Sequence, residues 1–184
     1  MIKLTKYLAV GGGLLGAVCT VAYRLWGGWA LLALAITFAT TGYHFGVRLG
    51  VGAVFDRCMG NRADCSKPWY QVRPWEERLY RRLQVKRWKD KMPTFHPDTF
   101  SPKEHTWEEI AQAMCQAELV HETNILMSFL PLLAAHWVGA FPVFLVTSVL
   151  GALFDLLLAV MQRYNRPRIL RLAARQAQKD RAAV

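Results

Sequence analysis

The apolar residues of this chain fall into two blocks, one ending near Phe55 and one running from Asn124 to Met161, and nothing else in the sequence constrains the fold as strongly. A soluble core would spread such residues at the periods of helices or strands. Apolar runs of about 17 to 25 residues are instead what a helix needs to cross roughly 30 Å of hydrocarbon. The blocks divide into four candidate spans, 7–25, 28–55, 122–140 and 141–162. The second exceeds what a bilayer requires, which implies tilt or projection beyond it, and Pro131 predicts a kink in the third. The sequence therefore predicts an all-α polytopic membrane protein with four transmembrane helices.

Charge supplies the orientation. The net charge is +10 and the pI near 9.8, yet the cations lie in the segments flanking the apolar blocks, a pattern that suits anionic lipid headgroups rather than nucleic acid. Lys3 and Lys6 precede the first span, the 56–121 connection holds twelve Lys or Arg, and the tail from Arg163 holds seven. The hairpin around His136 to Pro142 has none. The positive-inside rule then places both termini and the long connection in the cytoplasm, with the chain in the inner or plasma membrane. The organisation read from the sequence is 1–55 for transmembrane helices 1 and 2, 56–121 for a basic cytoplasmic or interfacial connection, 122–162 for helices 3 and 4, and 163–184 for a basic cytoplasmic tail. Lys3, Lys6 and the run Tyr7 to Tyr23 have the charge pattern of a signal peptide, but no small-x-small cleavage site follows, so the run reads as a retained first helix. Cys19, Cys58, Cys65 and Cys115 show no CxxC pair and no disulfide-scaffold density.

The long connection is patterned. Pro74 followed by Glu76 and Glu77 suits a first helical turn; Trp75, Leu79, Tyr80 and Leu83 share a side, with Arg78, Arg81, Arg82, Lys86 and Arg87 around the rest. This predicts a basic amphipathic helix on the inner membrane surface, between the second and third spans. Thr106 and Glu109 have the spacing of a capping box. Pro167 predicts the end of the last helix.

Ionisable side chains inside apolar spans are costly and are kept for a partner or a task. His44 and Arg48 are four residues apart on the second span; Glu118, His121 and Glu122 stand at the start of the third; Asp155 lies in the fourth, ahead of the Gln162 to Arg168 run. A histidine beside carboxylates can take a proton from a hydroxyl and return it to a leaving group. On this reading His121 is the general base, oriented by Glu118 or Glu122, with His44 in the same site. Arg48 binds substrate or an oxyanion, and Arg163, Asn165, Arg166 and Arg168 bind the phosphates of an acyl donor or an acidic headgroup. The bland alternatives are that His44 and Arg48 only neutralise an acid on a neighbouring helix, that Asp155 is a structural ion-pair partner, and that the tail arginines serve topology alone. His44, Glu118 and His121 would also make a two-histidine, one-carboxylate metal set were their helices to meet, although no HExxH-type motif is present and the acyl-transfer reading requires no metal or bound cofactor.

Four segments together carry a family resemblance: Tyr43-His44-Phe45-Gly46-Val47-Arg48, the stretch Lys86 to Pro93, Ala117-Glu118-Leu119-Val120-His121, and Gln162-Arg163-Tyr164-Asn165-Arg166-Pro167-Arg168. The chain resembles the glycosyl-4,4'-diaponeurosporenoate acyltransferase family. The resemblance implies a membrane acyltransferase that moves a fatty acyl group from a thioester, on coenzyme A or an acyl carrier protein, to a hydroxyl of a membrane-embedded glycolipid, in the family's named case a glucosyl carotenoid. Two other readings stay open: a non-catalytic lipid-binding or scaffold subunit, and a metal-dependent membrane hydrolase or oxidoreductase.

Overall fold

The computed structural model describes residues 2–94 and 96–182. Regular structure among the described residues is entirely helical: α1 (Ile2–Trp26), α2 (Trp29–Met59), α3 (Pro74–Arg82), α4 (Val85–Trp88), α5 (Trp107–Met127), α6 (Ala135–Val138) and α7 (Phe141–Ala182), joined by short 3₁₀ turns. Of these, α1, α2 and α7 are long and apolar enough to cross a membrane. The chain divides into two units, and the division falls within α2, α5 and α7.

The first unit takes the chain up to Val54 together with Val120–Leu156. Gly27 and Gly28, both at positive φ, let the chain reverse between α1 and α2 without the penalty a side chain would meet there. The two helices then pack backbone to backbone. A Cβ at Gly42 would lie 2.5 Å from the Gly13 nitrogen, and one at Gly12 would lie 2.6 Å from the Gly42 nitrogen. Small residues thus set the approach, as is usual where hydrocarbon removes any hydrophobic drive for helices to associate.

The sequence predicts one helix over 122–140; the structure instead ends α5 at Met127, follows it with a 3₁₀ turn at Leu130–Ala134, and adds the single-turn α6. Pro131 has no N–H to continue the ladder, and the phenol of Tyr43 donates to the Met127 carbonyl at 2.9 Å, satisfying an acceptor the helix end leaves open.

The second unit takes Phe55–Leu119 and the chain from Leu157. Its core joins Tyr70, Tyr80 and Val85 with Ile110, Met114 and Cys115 of α5 and Leu158 of α7, all buried. The capping box forms: Thr106 donates its backbone N–H to Glu109 at 2.8 Å, and Glu109 donates back to the Thr106 hydroxyl at 3.3 Å. The Thr106 N–H and hydroxyl, both donating to the Glu109 carboxyl, hold it below its usual range. Similarly, the Arg73 N–H donates to the Glu76 side chain at 2.5 Å at the start of α3. Of the apolar residues expected on one side of α3, Tyr80 is buried, whereas Trp75, Leu79 and Leu83 are exposed.

Pro167 does not end the last helix as predicted, for α7 continues through it to Ala182. Losing one backbone hydrogen bond is offset by Ala, Leu, Arg, Gln and Lys along 168–182, which all favour helix.

The glycine contacts give a stability test. Gly42→Ala should destabilise the protein by about 1–3 kcal/mol, the cost of overpacking a closed contact. Gly46→Ala on the same helix meets nothing within 4 Å and should leave the thermal unfolding midpoint in detergent unchanged or higher. Equal effects would show that α1 and α2 do not meet at these glycines.

Candidate functional site

In the first unit the ionisable residues of the apolar spans gather on one carboxylate. Asp155 of α7 is fully enclosed. One of its oxygens lies 2.5 Å from Nη2 of Arg48 on α2, and the other lies 3.0 Å from Nδ1 of His121 on α5. The Asn124 amide also donates to that second oxygen, at 3.4 Å. Arg48 donates further to the His44 carbonyl at 2.8 Å and the Gly151 carbonyl at 2.9 Å, and its guanidinium sits 5.3 Å from the centre of the Phe154 ring. Helical spacing produces the convergence: His44 and Arg48 share a face of α2, His121 and Asn124 a face of α5, and Gly151 and Asp155 a face of α7. His44 lies flat on α7, since a Cβ on Gly151 would come within 3.0 Å of its ring.

The chemistry of this set is that of a histidine held by a carboxylate. Asp155 can accept the Nδ1 proton of His121, which fixes the tautomer and leaves Nε2 to act as a base. Arg48 compensates the Asp155 charge, so the pair meets the apolar surroundings as a neutral unit.

The second unit is built on a different carboxylate. Glu118 of α5, also fully enclosed, accepts from Arg163 on one oxygen and from Arg166 on the other. Arg163 is held in addition by Glu76, with Nε at 2.8 Å from its carboxylate, and by the carbonyls of Trp69 at 2.8 Å and Gln71 at 3.1 Å. Arg166 is 1% exposed; it donates to the Tyr70 carbonyl and lies over the Tyr70 ring at 5.2 Å. Tyr80 meets the edge of Tyr164, and burial pushes its phenol up to about 12. Behind this network the Cys115 thiol donates to Cys65, their sulfurs 3.3 Å apart. Burial pushes the Cys115 thiol up, away from the reactive thiolate.

Of the residues singled out in the sequence, the structure joins His44, Arg48 and His121 in one set and Glu118, Arg163 and Arg166 in another. Glu118 spends both oxygens on arginines, while the carboxylate on His121 is Asp155. The alternative metal set of His44, Glu118 and His121 does not form: among the described residues no three His, Cys, Asp or Glu side chains group as a metal centre would need. Arg168 is exposed and Asn165 half-buried. Asn124 was missed by the sequence reading, though its position three residues after His121 was the available signal.

The two carboxylates predict different losses. Glu118→Ala leaves Arg166 buried without its counter-charge and should cost about 3–5 kcal/mol, read by thermal or denaturant unfolding in detergent. Combining it with Arg166→Met should recover part of that loss, and purely additive effects would show that the two side chains do not interact.

Residues 66–175, more than half of the chain, match the family described as glycosyl-4,4'-diaponeurosporenoate acyltransferase. That stretch contains His121, Asn124 and Asp155 and the whole Glu118, Arg163 and Arg166 network, while His44 and Arg48 lie outside it. No curated protein and no solved structure matches the chain. With its all-helical build, its long apolar helices and this match, the chain belongs to the glycosyl-4,4'-diaponeurosporenoate acyltransferase family.

Proposed function

We propose that the protein transfers a fatty acyl group from a thioester to a hydroxyl of a membrane-embedded glycolipid at the cytoplasmic side, with His121 as general base. The observation that carries this reading is the bond between His121 Nδ1 and Asp155 at 3.0 Å, which sets up a base on the far ring nitrogen. The family's name, that of an acyltransferase acting on a glycosyl-diaponeurosporenoate, supports the same chemistry.

In the proposed step Nε2 takes the acceptor's hydroxyl proton as the oxygen attacks the thioester carbonyl. Negative charge gathers on the carbonyl oxygen; collapse of the tetrahedral intermediate then breaks the C–S bond. The imidazolium returns its proton to the departing sulfur, leaving an ester and a free thiol. Asp155 stabilises the transient imidazolium, and Arg48 acts through Asp155 as a positioning residue. The donor is an acyl thioester of coenzyme A or of an acyl carrier protein, and no resident cofactor takes part. Arg166 is enclosed, so the donor's phosphates fall to exposed cations, Arg168 first.

The membrane arrangement belongs to the same proposal. With basic flanks at both ends and in the 56–121 connection, α7 reaches the cytoplasm only if the chain crosses once more between α2 and α7. The end of α5, the 3₁₀ turn and α6 supply this fourth crossing. On α3 and at its C-terminal end, exposed Trp75, Leu79 and Leu83 alternate with Arg78, Arg81 and Arg82, as in a helix lying among anionic headgroups.

Lipid mass spectrometry of membranes from cells lacking the gene, complemented with wild type or with variants, tests the reading. Wild type should restore an acylated lipid. His121→Ala at equal abundance should lower its formation by at least about a hundredfold, and Arg168→Glu should raise the donor's KM with kcat little changed. An alanine variant that restores the lipid fully removes His121 from the chemistry, and the absence of any lipid change favours a scaffold role.

A further inference from the structure

The sulfurs of Cys65 and Cys115 lie 3.3 Å apart, and the proposed chemistry uses neither. Both are free thiols of the second unit. Their environments differ. Cys115 sits in α5 with no exposed surface, three residues before Glu118 and so on the same face. Cys65 is half-buried, lies outside the helices just ahead of the 3₁₀ turn at Pro68–Tyr70, and stands between exposed Asp64 and Ser66. The two sulfurs also mark opposite sides of one clamp. On the loop side, the carbonyls of Trp69 and Gln71 accept from Arg163 and that of Tyr70 accepts from Arg166, while the Gln71 side chain donates to the Cys65 carbonyl at 2.9 Å. On the α5 side, Glu118 accepts from the same two arginines.

We propose that Cys65 and Cys115 form a reversible thiol–disulfide pair that, on oxidation by a peroxide, locks the 65–71 loop onto α5 around Arg163 and Arg166. The exposed partner reacts first. The Cys65 thiolate attacks one peroxide oxygen; an S–O bond forms, the O–O bond breaks, and the departing hydroxide takes up the proton that Cys65 lost, leaving as water. The Cys115 sulfur then attacks the sulfenic sulfur: the S–S bond forms, the S–O bond breaks, and the Cys115 proton leaves with the hydroxide as a second water. Two thiols have given up two electrons and the two peroxide oxygens have taken them. An added dithiol reverses the step by exchange. Burial pushes the Cys115 thiol up, which keeps it from meeting oxidant directly and leaves it to resolve its neighbour. Bringing the sulfurs from 3.3 Å to the roughly 2 Å of a disulfide moves them by about 1 Å, and the loop can supply that motion because Cys65 is not in a helix. In a reducing compartment such a pair stays open until oxidant arrives, as in a sensor rather than a permanent bridge. None of this depends on the acyl-transfer reading.

The test treats the reduced full-length protein in detergent with hydrogen peroxide, blocks remaining thiols with N-ethylmaleimide, and maps the unreduced digest by mass spectrometry. Wild type should yield a peptide joining Cys65 to Cys115, lighter by two hydrogens, that dithiothreitol separates again. Hydrogen exchange of the 66–73 amides should slow severalfold in the oxidised protein and recover on reduction. In Cys65→Ser, Cys115 should remain a thiol and exchange should not respond to peroxide; in Cys115→Ala, Cys65 should advance to the sulfinic acid. If Cys115→Ala fails to fold, Cys65→Ser decides. Exposed Cys58 reports that oxidant is sufficient. The pair is overturned if, once Cys58 has reacted, wild-type Cys115 is still a thiol, or if Cys65 links to Cys58 instead. A joined peptide with unchanged exchange over 66–73 overturns the lock.

Discussion

An ionised side chain cannot be left alone in an apolar helix packing, and in the first unit this requirement falls on Arg48 and Asp155. Each charge would cost about 2.5–3.5 kcal/mol on insertion scales at the centre of a bilayer, and their attraction offsets that only if the geometry is close and the remaining donors find acceptors. The geometry is close, with Arg48 Nη2 2.5 Å from an Asp155 oxygen, and Arg48 gives two further bonds, to the carbonyls of His44 and Gly151, while its Nε finds no acceptor among the described residues. Because Gly151 and Asp155 are one turn apart, a single guanidinium reads two successive turns of α7. A slip of either helix by one residue would break both contacts. His121 and Asn124 then take their positions from the oxygen that Arg48 leaves to them.

Glu118 shows the same rule with the opposite chemical result. Its two oxygens are each claimed by a guanidinium, so it has no lone pair arranged for a histidine and ties α5 to the tail of α7 inside the second unit. Arg163 and Arg166 are in turn filled by Glu76 and by the carbonyls of Trp69, Tyr70 and Gln71. The Gln162 to Arg168 motif therefore serves first to close the second unit, with Arg168 left exposed. Asp155 differs by having one arginine rather than two, and the oxygen thus spared makes a neighbouring imidazole useful.

The sequence made the three long apolar helices legible because length and hydropathy alone decide them, and it made the Thr106 and Glu109 cap legible because that motif is local. It failed where tertiary contacts decide. The 122–140 run is mostly apolar, yet Pro131 and the Tyr43 bond to Met127 break it. Pro167 was read by its local rule, which the helix formers beyond it override. In the candidate site, His44, Arg48 and His121 stood out as ionisable residues in apolar surroundings. Asp155 stood out as an ion-pair partner, which it is for Arg48, but not as the carboxylate on His121: Glu118 sits three residues from His121 and is the nearest carboxylate in sequence but for Glu122, while Asp155, thirty-four residues on, makes the bond. Spacing along one helix shows which residues share a face, and only the packing of other helices shows what that face meets.

Burial bears on which reaction such a set would favour. A base beside a thioester serves hydrolysis as readily as transfer if water reaches the carbonyl. Here the side chain of His121 is 11% exposed and that of Asp155 fully covered, and both sit among the apolar residues of α5 and α7. On the proposed reaction, a lipid hydroxyl arrives with hydrocarbon attached and gains from entering such surroundings, whereas bulk water does not. The discrimination between an alcohol and water would then come less from the catalytic groups, which treat the two O–H bonds alike, than from the dryness of the helices that hold them.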